Sequence, residues 1–412
     1  MARAEQSKRS THRAKGSDHG RSSPPLQTSL PVLGDIDISM ADIRRLAQVE
    51  GPCVSLFLPT QSSGAETMQG PIRLGNLVEA ADREMGAAGV SKRERWNMLD
   101  PIRRLKEDFD FWQHQSLGLA IFSAPSEIVI LRVRAPLEEE ATVSRHFRIR
   151  PLLPFISGQS TFFLLALTEN DVRLFEATAH GMTELELGPI PASQSDALWF
   201  EDPESQLQTH RSGGEAPGGF HGHGLGEELR KESLERYFRL VDKGLHERIG
   251  HTRRPLMLAC VAYYEPIFRS VSDYPVIIDE IIEGSPENVS AEALYARAWP
   301  LMERTDARDI EGIVGRYNEL AGTGMTASGI EEVLGLATEG RVETLLVAED
   351  APEQWGSRNE TSGAVEMSEQ RRTLDTDLVD LAVIESIQHG GSIQIIPRDT
   401  AGQIEVAAIL RY

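Results

Sequence analysis

The side chains in this 412-residue sequence whose types could do chemistry or touch a nucleic acid crowd into the stretch from 211 to 224. Arg211, Glu215, Phe220, His221 and His223 are set there among Gly213, Gly214, Gly218 and Gly219, with six glycines in the fourteen residues. A histidine near its ordinary pKa moves protons at neutral pH, and His210 just upstream would bring the imidazoles available to a metal to three. A two-residue spacing on a glycine run fixes no coordination geometry, and no carboxylate is placed as a further ligand. Neither a metal nor a cofactor is therefore expected, and no residue is assigned a catalytic role. Contact with RNA suits the composition better. Phe220, His221 and His223 can stack on bases, Arg211 can meet phosphates, and glycine lets a backbone approach closely. Such a run loses too much backbone entropy on ordering to build a core, and a plain connecting loop is the competing reading.

The elements on either side must hold that stretch. Downstream, Leu225, Leu229, Tyr237, Phe238, Val241, Leu245 and Ile249 repeat at helical spacing, which predicts a long helix beginning near Leu225. The apolar run from Pro255 to Val261 reads as a buried strand of the parallel kind. Upstream, Phe162 to Leu167 and Val172 to Phe175 predict a hairpin, with Glu184 to Leu187 as a third strand. A middle domain over residues 151–288 is expected, carrying the glycine-rich loop 211–224.

Two further α/β domains are expected around it. In residues 35–150, Val54 to Leu58 reads as a buried strand, and a helical period runs through Ile72, Leu74, Leu77, Val78 and Ala81. Ser91 and Glu94 have capping-box spacing ahead of a helix carrying Trp96, Leu99, Ile102 and Leu105. Ser116 to Phe122 and Glu127 to Val133 predict an antiparallel pair. In residues 289–412, Leu294 to Met302 and Ile310 to Leu320 read as two helices, and Ser328 with Glu331 as a second capping box. Val342 to Val347 reads as a strand, 355–368 as an irregular polar insertion, and Leu374 to Ile387 as a helix ended by the cap His389-Gly390-Gly391. Ile393 to Ile396 and Val406 to Leu410 complete a small α/β/α sandwich. Glu349 and Asp350 at the end of a strand read as solvated carboxylates, and Trp199, Trp299 and Trp355 as packing residues.

Composition sets outer limits. The formal charge is −21, but residues 1–34 hold six Lys/Arg against two Asp/Glu, leaving 36 basic against 61 acidic residues in the body. An acidic body argues against broad nonspecific nucleic-acid binding, so any RNA contact must be local. The basic, Ser- and Pro-bearing tail reads as disordered. Cys53 and Cys260 lie in apolar runs and read as buried free thiols. No membrane span or signal peptide is expected, which points to the cytoplasm. There is no phosphate-binding Gly-x-x-x-x-Gly-Lys-Ser/Thr loop and no Gly-x-Ser-x-Gly elbow.

Four segments, in order, resemble the bacterial archaeo-eukaryotic release factor family, relatives of the class one release factors and Pelota: Val54 to Thr60 with Pro71 to Leu74; Phe220 to Gly224 ahead of its helix; Gly340 to Glu349; and Ala407 to Tyr412. The resemblance implies three α/β domains in release-factor-like order. It also implies a ribosome-associated translation factor that binds the tRNA-accepting site in rescue, quality control or dormancy, touching ribosomal or transfer RNA, with a translational GTPase as a possible partner. The family's Gly-Gly-Gln loop is not matched. The nearest strings are Gly213-Gly214-Glu215 and Gly218-Gly219-Phe220, and an ionised carboxylate accepts hydrogen bonds but cannot donate them as a glutamine amide does. No Asn-Ile-Lys-Ser string occurs either, so stop-codon reading is not implied. Binding without hydrolysis is the expectation. A peptidyl-tRNA ester hydrolase using a loop histidine or Glu215, and an interaction protein with no ribosomal role, are the alternatives.

Overall fold

The computed structural model describes residues 40–61, 69–156, 161–201, 223–252, 254–358 and 365–412. The first sheet has the order β3-β2-β1-β4, from β1 (Cys53–Pro59), β2 (Gly118–Ser123), β3 (Ile128–Val133) and β4 (Glu140–Ser144), all antiparallel. Its helices are α1 (Met40–Ala47), α2 (Gln69–Ala87), α3 (Lys92–Arg104) and the short α4 (Phe109–Gln113). The expected cap forms, with Ser91 Oγ accepting from the Glu94 amide at 3.2 Å. Alternation along the strands divides the apolar residues between two faces. Val54, Leu56, Leu58, Leu119 and Ile121 meet α2 and α3, while Cys53, Phe57, Ala120 and Phe122 face the opposite way. Ile72 and Trp96, expected among the packed residues, are exposed instead. The packed stripes run through Leu74, Leu77, Val78 and Ala81 and through Met98, Leu99 and Ile102, and neither includes them.

The second sheet, β7-β6-β5-β8-β9, contains the predicted hairpin β5 (Thr161–Leu167) and β6 (Val172–Thr178), followed by β7 (Gly181–Leu185). Its parallel half is β5, β8 (Leu256–Cys260) and β9 (Ile277–Glu283). Three helices go with it after the short α5 (Leu153–Ile156): α6 (Gln194–Glu201), α7 (His223–Ile249) and α8 (Tyr264–Val271). Leu234, Tyr237, Phe238, Val241, Leu245 and Ile249 pack α7 against one face. Leu229, expected in that stripe, is 66% exposed because α7 extends beyond the sheet by its first turns.

The other face of the second sheet is covered by α9 (Ala291–Leu320), a single helix where two were expected. The helix runs unbroken through Thr305, whose hydroxyl lies 3.1 Å from both Leu301 O and Glu280 Oε2. Leu294, Ala298 and Met302 belong to the core of the second sheet, and Ile310 to that of the third. The division expected at 288/289 thus precedes a helix that serves both sheets.

The third sheet has the order β10-β16-β11-β15, from β10 (Thr326–Ser328), β11 (Val342–Ala348), β15 (Ser392–Ile396) and β16 (Val406–Leu410). It is flanked by α10 (Ile330–Thr338) packed on α11 (Leu378–Gln388), and by α9 packed on α12 (Arg398–Ala401), the α/β/α arrangement expected. The segment 355–368, expected to be irregular, instead contributes β12 (Trp355–Arg358) and β13 (Val365–Met367) to a small sheet, completed by β14 (Thr376–Asp377) from the stretch expected to be helical, so α11 starts four residues later than Leu374. The second capping box also differs. Gly329 is the cap residue at φ 81°, and the reciprocal bond comes from the Ser328 amide to Glu332, not Glu331. His389-Gly390-Gly391 does end its helix, with Gly390 at φ 75° and the Gly391 amide bonded to Ser386 O at 2.7 Å. Asp350 pairs with Arg398 at 2.6 Å.

The free face of the first sheet is buried against the third unit. Phe57, Phe122 and Phe147 form an edge-to-face chain in one hydrophobic cluster with Leu345, Val347, Leu381 and Ile384. A buried charged joint lies beside it. Arg148, with 9% of its side chain exposed, reaches Glu140 at 2.8 Å, Glu353 at 2.5 Å, Asp377 at 3.3 Å and Asp380 at 3.8 Å. Asp380 Oδ1 accepts from the Ile149 and Arg150 amides at 2.9 and 2.6 Å. Burial and the neighbouring Asp377 push the Asp380 carboxyl up to about 7. Trp355 stacks under both Arg148 and Arg371, so it acts as a cation–π platform as well as a packing residue.

Candidate functional site: the rim that holds the glycine-rich segment

Parallel strands β5 and β8 end side by side, and α7 runs back antiparallel between them in sequence, so its first turns lie at their carboxyl ends. This is the edge where α/β sheets commonly present ligand sites. Of the sequence-predicted site residues, Arg211, Gly213, Gly214, Glu215, Gly218, Gly219, Phe220 and His221 lie outside the described residues, as does His210. His223 is the first residue of α7, which starts two residues before Leu225. What the structure describes is the mounting on either side of them.

Both ends of that segment are fixed to the β5–β6 turn. On the upstream side, the Gln194 amide donates to Glu169 O at 2.8 Å, the Val172 amide donates to Ala192 O at 2.9 Å, and Ala197 of α6 is buried. On the downstream side, Tyr237 donates its hydroxyl to Thr168 O at 3.0 Å. Gln194 Nε2 joins the two sides by donating to Ser233 Oγ at 3.1 Å. Gly244 permits the close packing of this arrangement, since a Cβ there would lie 2.7 Å from Ile190 Cα.

The rim itself is a three-residue cluster. Glu169 Oε1 accepts from Arg230 Nη2 at 2.7 Å and from the Tyr264 hydroxyl at 2.8 Å. The hydrogen bonds from Arg230 and then Tyr264 hold the Glu169 carboxyl below its ordinary range. Burial and the bond to Glu169 push the Tyr264 phenol up to about 12, so it stays protonated and donates. The cluster joins β5, α7 and α8 at an exposed edge. Periodicity could not find it, because its partners lie 61 and 95 residues apart in sequence and each looks like an ordinary surface residue.

Cys260, at the end of β8, and Cys53, in β1, are buried free thiols pushed up to about 12 by desolvation and neighbouring carboxylates, far from the thiolate form. Among the described residues no group of three or more His, Cys, Asp or Glu is placed to hold a metal. Also among them, no helix is long and apolar enough to cross a membrane.

No curated protein matches the chain. Solved structures similar to it include an archaeal translation termination factor, aRF1, at 14% identity, covering 92% of this chain and 99% of that one with a TM-score of 0.21. Saccharomyces cerevisiae Dom34, a translation termination-like factor, is 9% identical over 72% of this chain and 74% of its own, with a TM-score of 0.36. Archaeoglobus fulgidus Pelota is 12% identical over 92% and 93%, with a TM-score of 0.27. Superpositions this loose carry no argument of their own. The family model of bacterial archaeo-eukaryotic release factor family 3 matches residues 161–341, from β5 through the start of the third sheet, including the rim and the segment it mounts. Over those residues the chain is similar to bacterial archaeo-eukaryotic release factor family 3.

Proposed function

We propose that this protein is a ribosome-associated translation factor that enters the tRNA-accepting site in rescue, quality control or dormancy, and acts by binding rather than by hydrolysis. The observation that carries the reading is the family match over 161–341, which includes the rim where both ends of the glycine-rich segment are tied to one turn. A segment mounted in this way can be presented to a ribonucleoprotein surface while the sheet behind it stays ordered. Arg211, Phe220, His221 and His223 are the proposed contact residues, with Gly213, Gly214, Gly218 and Gly219 allowing close approach and Glu215 standing where the family's glutamine would be. The lack of Gly-Gly-Gln and Asn-Ile-Lys-Ser supports a factor that neither releases peptide in the family's usual way nor reads stop codons. A translational GTPase is the proposed partner of the third domain, 289–412, the first and second domains being 35–150 and 151–288. The proposed compartment is the cytoplasm.

Co-sedimentation tests this directly. Full-length protein is expected to pellet with ribosomes, and a chain lacking 211–224 to remain in the supernatant. Equal pelleting of the two proteins would remove the loop from the reading, and pelleting of neither would remove the ribosome. Ribosomes carrying labelled peptidyl-tRNA should keep the ester intact. Peptide release abolished by His221→Ala would establish the hydrolase alternative instead.

A further inference from the structure

A second place in the molecule has the make-up of a ligand site, and it lies away from the rim. Between the first sheet and the β6–β7 hairpin is a cleft of about 420 Å³, within the size range usual for small-molecule sites. One wall is built from His114, Ser116, Arg132 and Arg134, the other from Glu176, Thr178, His180 and Thr183. The pleat explains the second wall: Glu176 lies directly opposite Thr183 and Thr178 opposite Gly181, so these residues share one face of the hairpin.

The charges in the cleft run against those of the chain. The protein carries 63 acidic residues against 42 basic, yet the lining holds two arginines and two histidines against one carboxylate. That carboxylate is already engaged. Glu176 is 3% exposed, its Oε2 is paired with Arg134 and its Oε1 with Arg254 at 2.6 Å. His114 Nδ1 also stands 3.6 Å from the exposed side chain of Asp110. The lining also includes Gln115, 6% exposed, whose Nε2 donates to Phe111 O while its Oε1 has no hydrogen-bond partner. Two guanidiniums, that of Arg134 held by the buried Glu176, flanked by imidazoles and hydroxyls, suit the tetrahedral oxygens of a phosphate.

We propose that this cleft binds the phosphate group of a small phosphomonoester of nucleotide size, bridging the first and second sheets. Arg132 and Arg134 carry the anion, and His114 and His180 close over it from opposite walls. The proposal does not depend on whether the ribosome is the protein's target.

Titration calorimetry on the full chain at constant ionic strength, with inorganic phosphate and with AMP, tests it. Saturable binding of both is expected, with AMP tighter. Arg132→Gln and His180→Glu should each weaken it about tenfold or more, the loss of one charge-assisted contact. His180 lies in an exposed turn, so His180→Glu should keep the wild-type melting temperature without ligand and remains informative if Arg132→Gln disturbs folding. Absence of saturable binding at millimolar phosphate and AMP would overturn the proposal. So would AMP binding that His180→Glu leaves unchanged, or tight binding of an RNA oligonucleotide with none of AMP, which would make the cleft part of a nucleic-acid surface.

Discussion

The joint at Arg148 and the rim at Glu169 are both built from charged residues brought together from distant parts of the chain, but they are solvated differently. Arg148 is 9% exposed at its side chain, between two carboxylates that are each 1% exposed, whereas Arg230 is 64% exposed against a Glu169 that is 30% exposed. In the joint, burial pulls the arginine toward neutrality and Asp380, Glu140, Glu353 and Asp377 more than reverse it, raising its pKa. At the rim, water screens the pair, so it orients a helix end without being essential to folding. The difference separates the molecule's two tasks. The first and third sheets are fused by a common core and a dry polar joint, whereas the rim of the middle unit is a wet edge beside the first turns of α7.

The most severe way to break the contrast is Arg148→Ala. It leaves Glu140, Glu353, Asp377 and Asp380 without their shared cation, and a loss of about 3–5 kcal/mol is expected from urea denaturation, because an uncompensated buried charge is the penalty. Hydrogen exchange should then speed up in both the first and the third sheets, since they share one cluster. If only one of them loosened, the joint would not be common to the two.

A gentler probe is pH. Asp380 holds its proton in the folded state up to about 7 but releases it near its ordinary value of about 3.9 when unfolded, so the native state binds the extra proton. Its contribution is therefore complete at low pH and is lost as pH rises through 7. Asp377, also raised by burial, acts in the same direction. Asp380→Asn should flatten the fall in stability between pH 5 and 7, and at pH 8 should leave the protein at least as stable as wild type. Parallel pH profiles for the two proteins would show that Asp380 is not the group responsible.

The smallest effect is expected at the rim. Arg230→Ala should leave the denaturation midpoint where it was, and speed amide exchange only in the first turns of α7. The same substitution should weaken ribosome co-sedimentation less than deletion of 211–224 does. A large stability loss would mean that the rim belongs to the folding core after all.

Much of the fold was legible from local pattern. The hairpin β5–β6, the apolar run that became β8, the Ser91 cap and the Gly390 stop each depend on residues within a few positions of one another. Reading failed where a local signal had a tertiary competitor. The stretch between Met302 and Ile310 read as a break between two helices, but Thr305 bonds to Glu280 there and the helix runs on, and the polar stretch after Trp355 became part of a sheet because Trp355 and Gly356 pair with Thr376 and Asp377. Ile72, Trp96 and Leu229 are apolar residues on helical segments whose outward phase only the packed structure reveals. At the candidate site, the sequence marked the glycine-rich segment by composition but gave no sign of the Glu169, Arg230 and Tyr264 cluster beside it.

The sequence by itself determined the strands and helices, their order over three α/β units, the release-factor-like resemblance and the position of the glycine run, because each is written in periodicity, caps and composition. Only the tertiary structure decided that the first and third sheets share a core, that Arg148 sits among four carboxylates, and that Glu169 ties two helices to a strand end. Those facts rest on contacts such as Arg148 to Asp377, 229 residues apart, whose energy comes from joint desolvation and so exists only once the chain has folded.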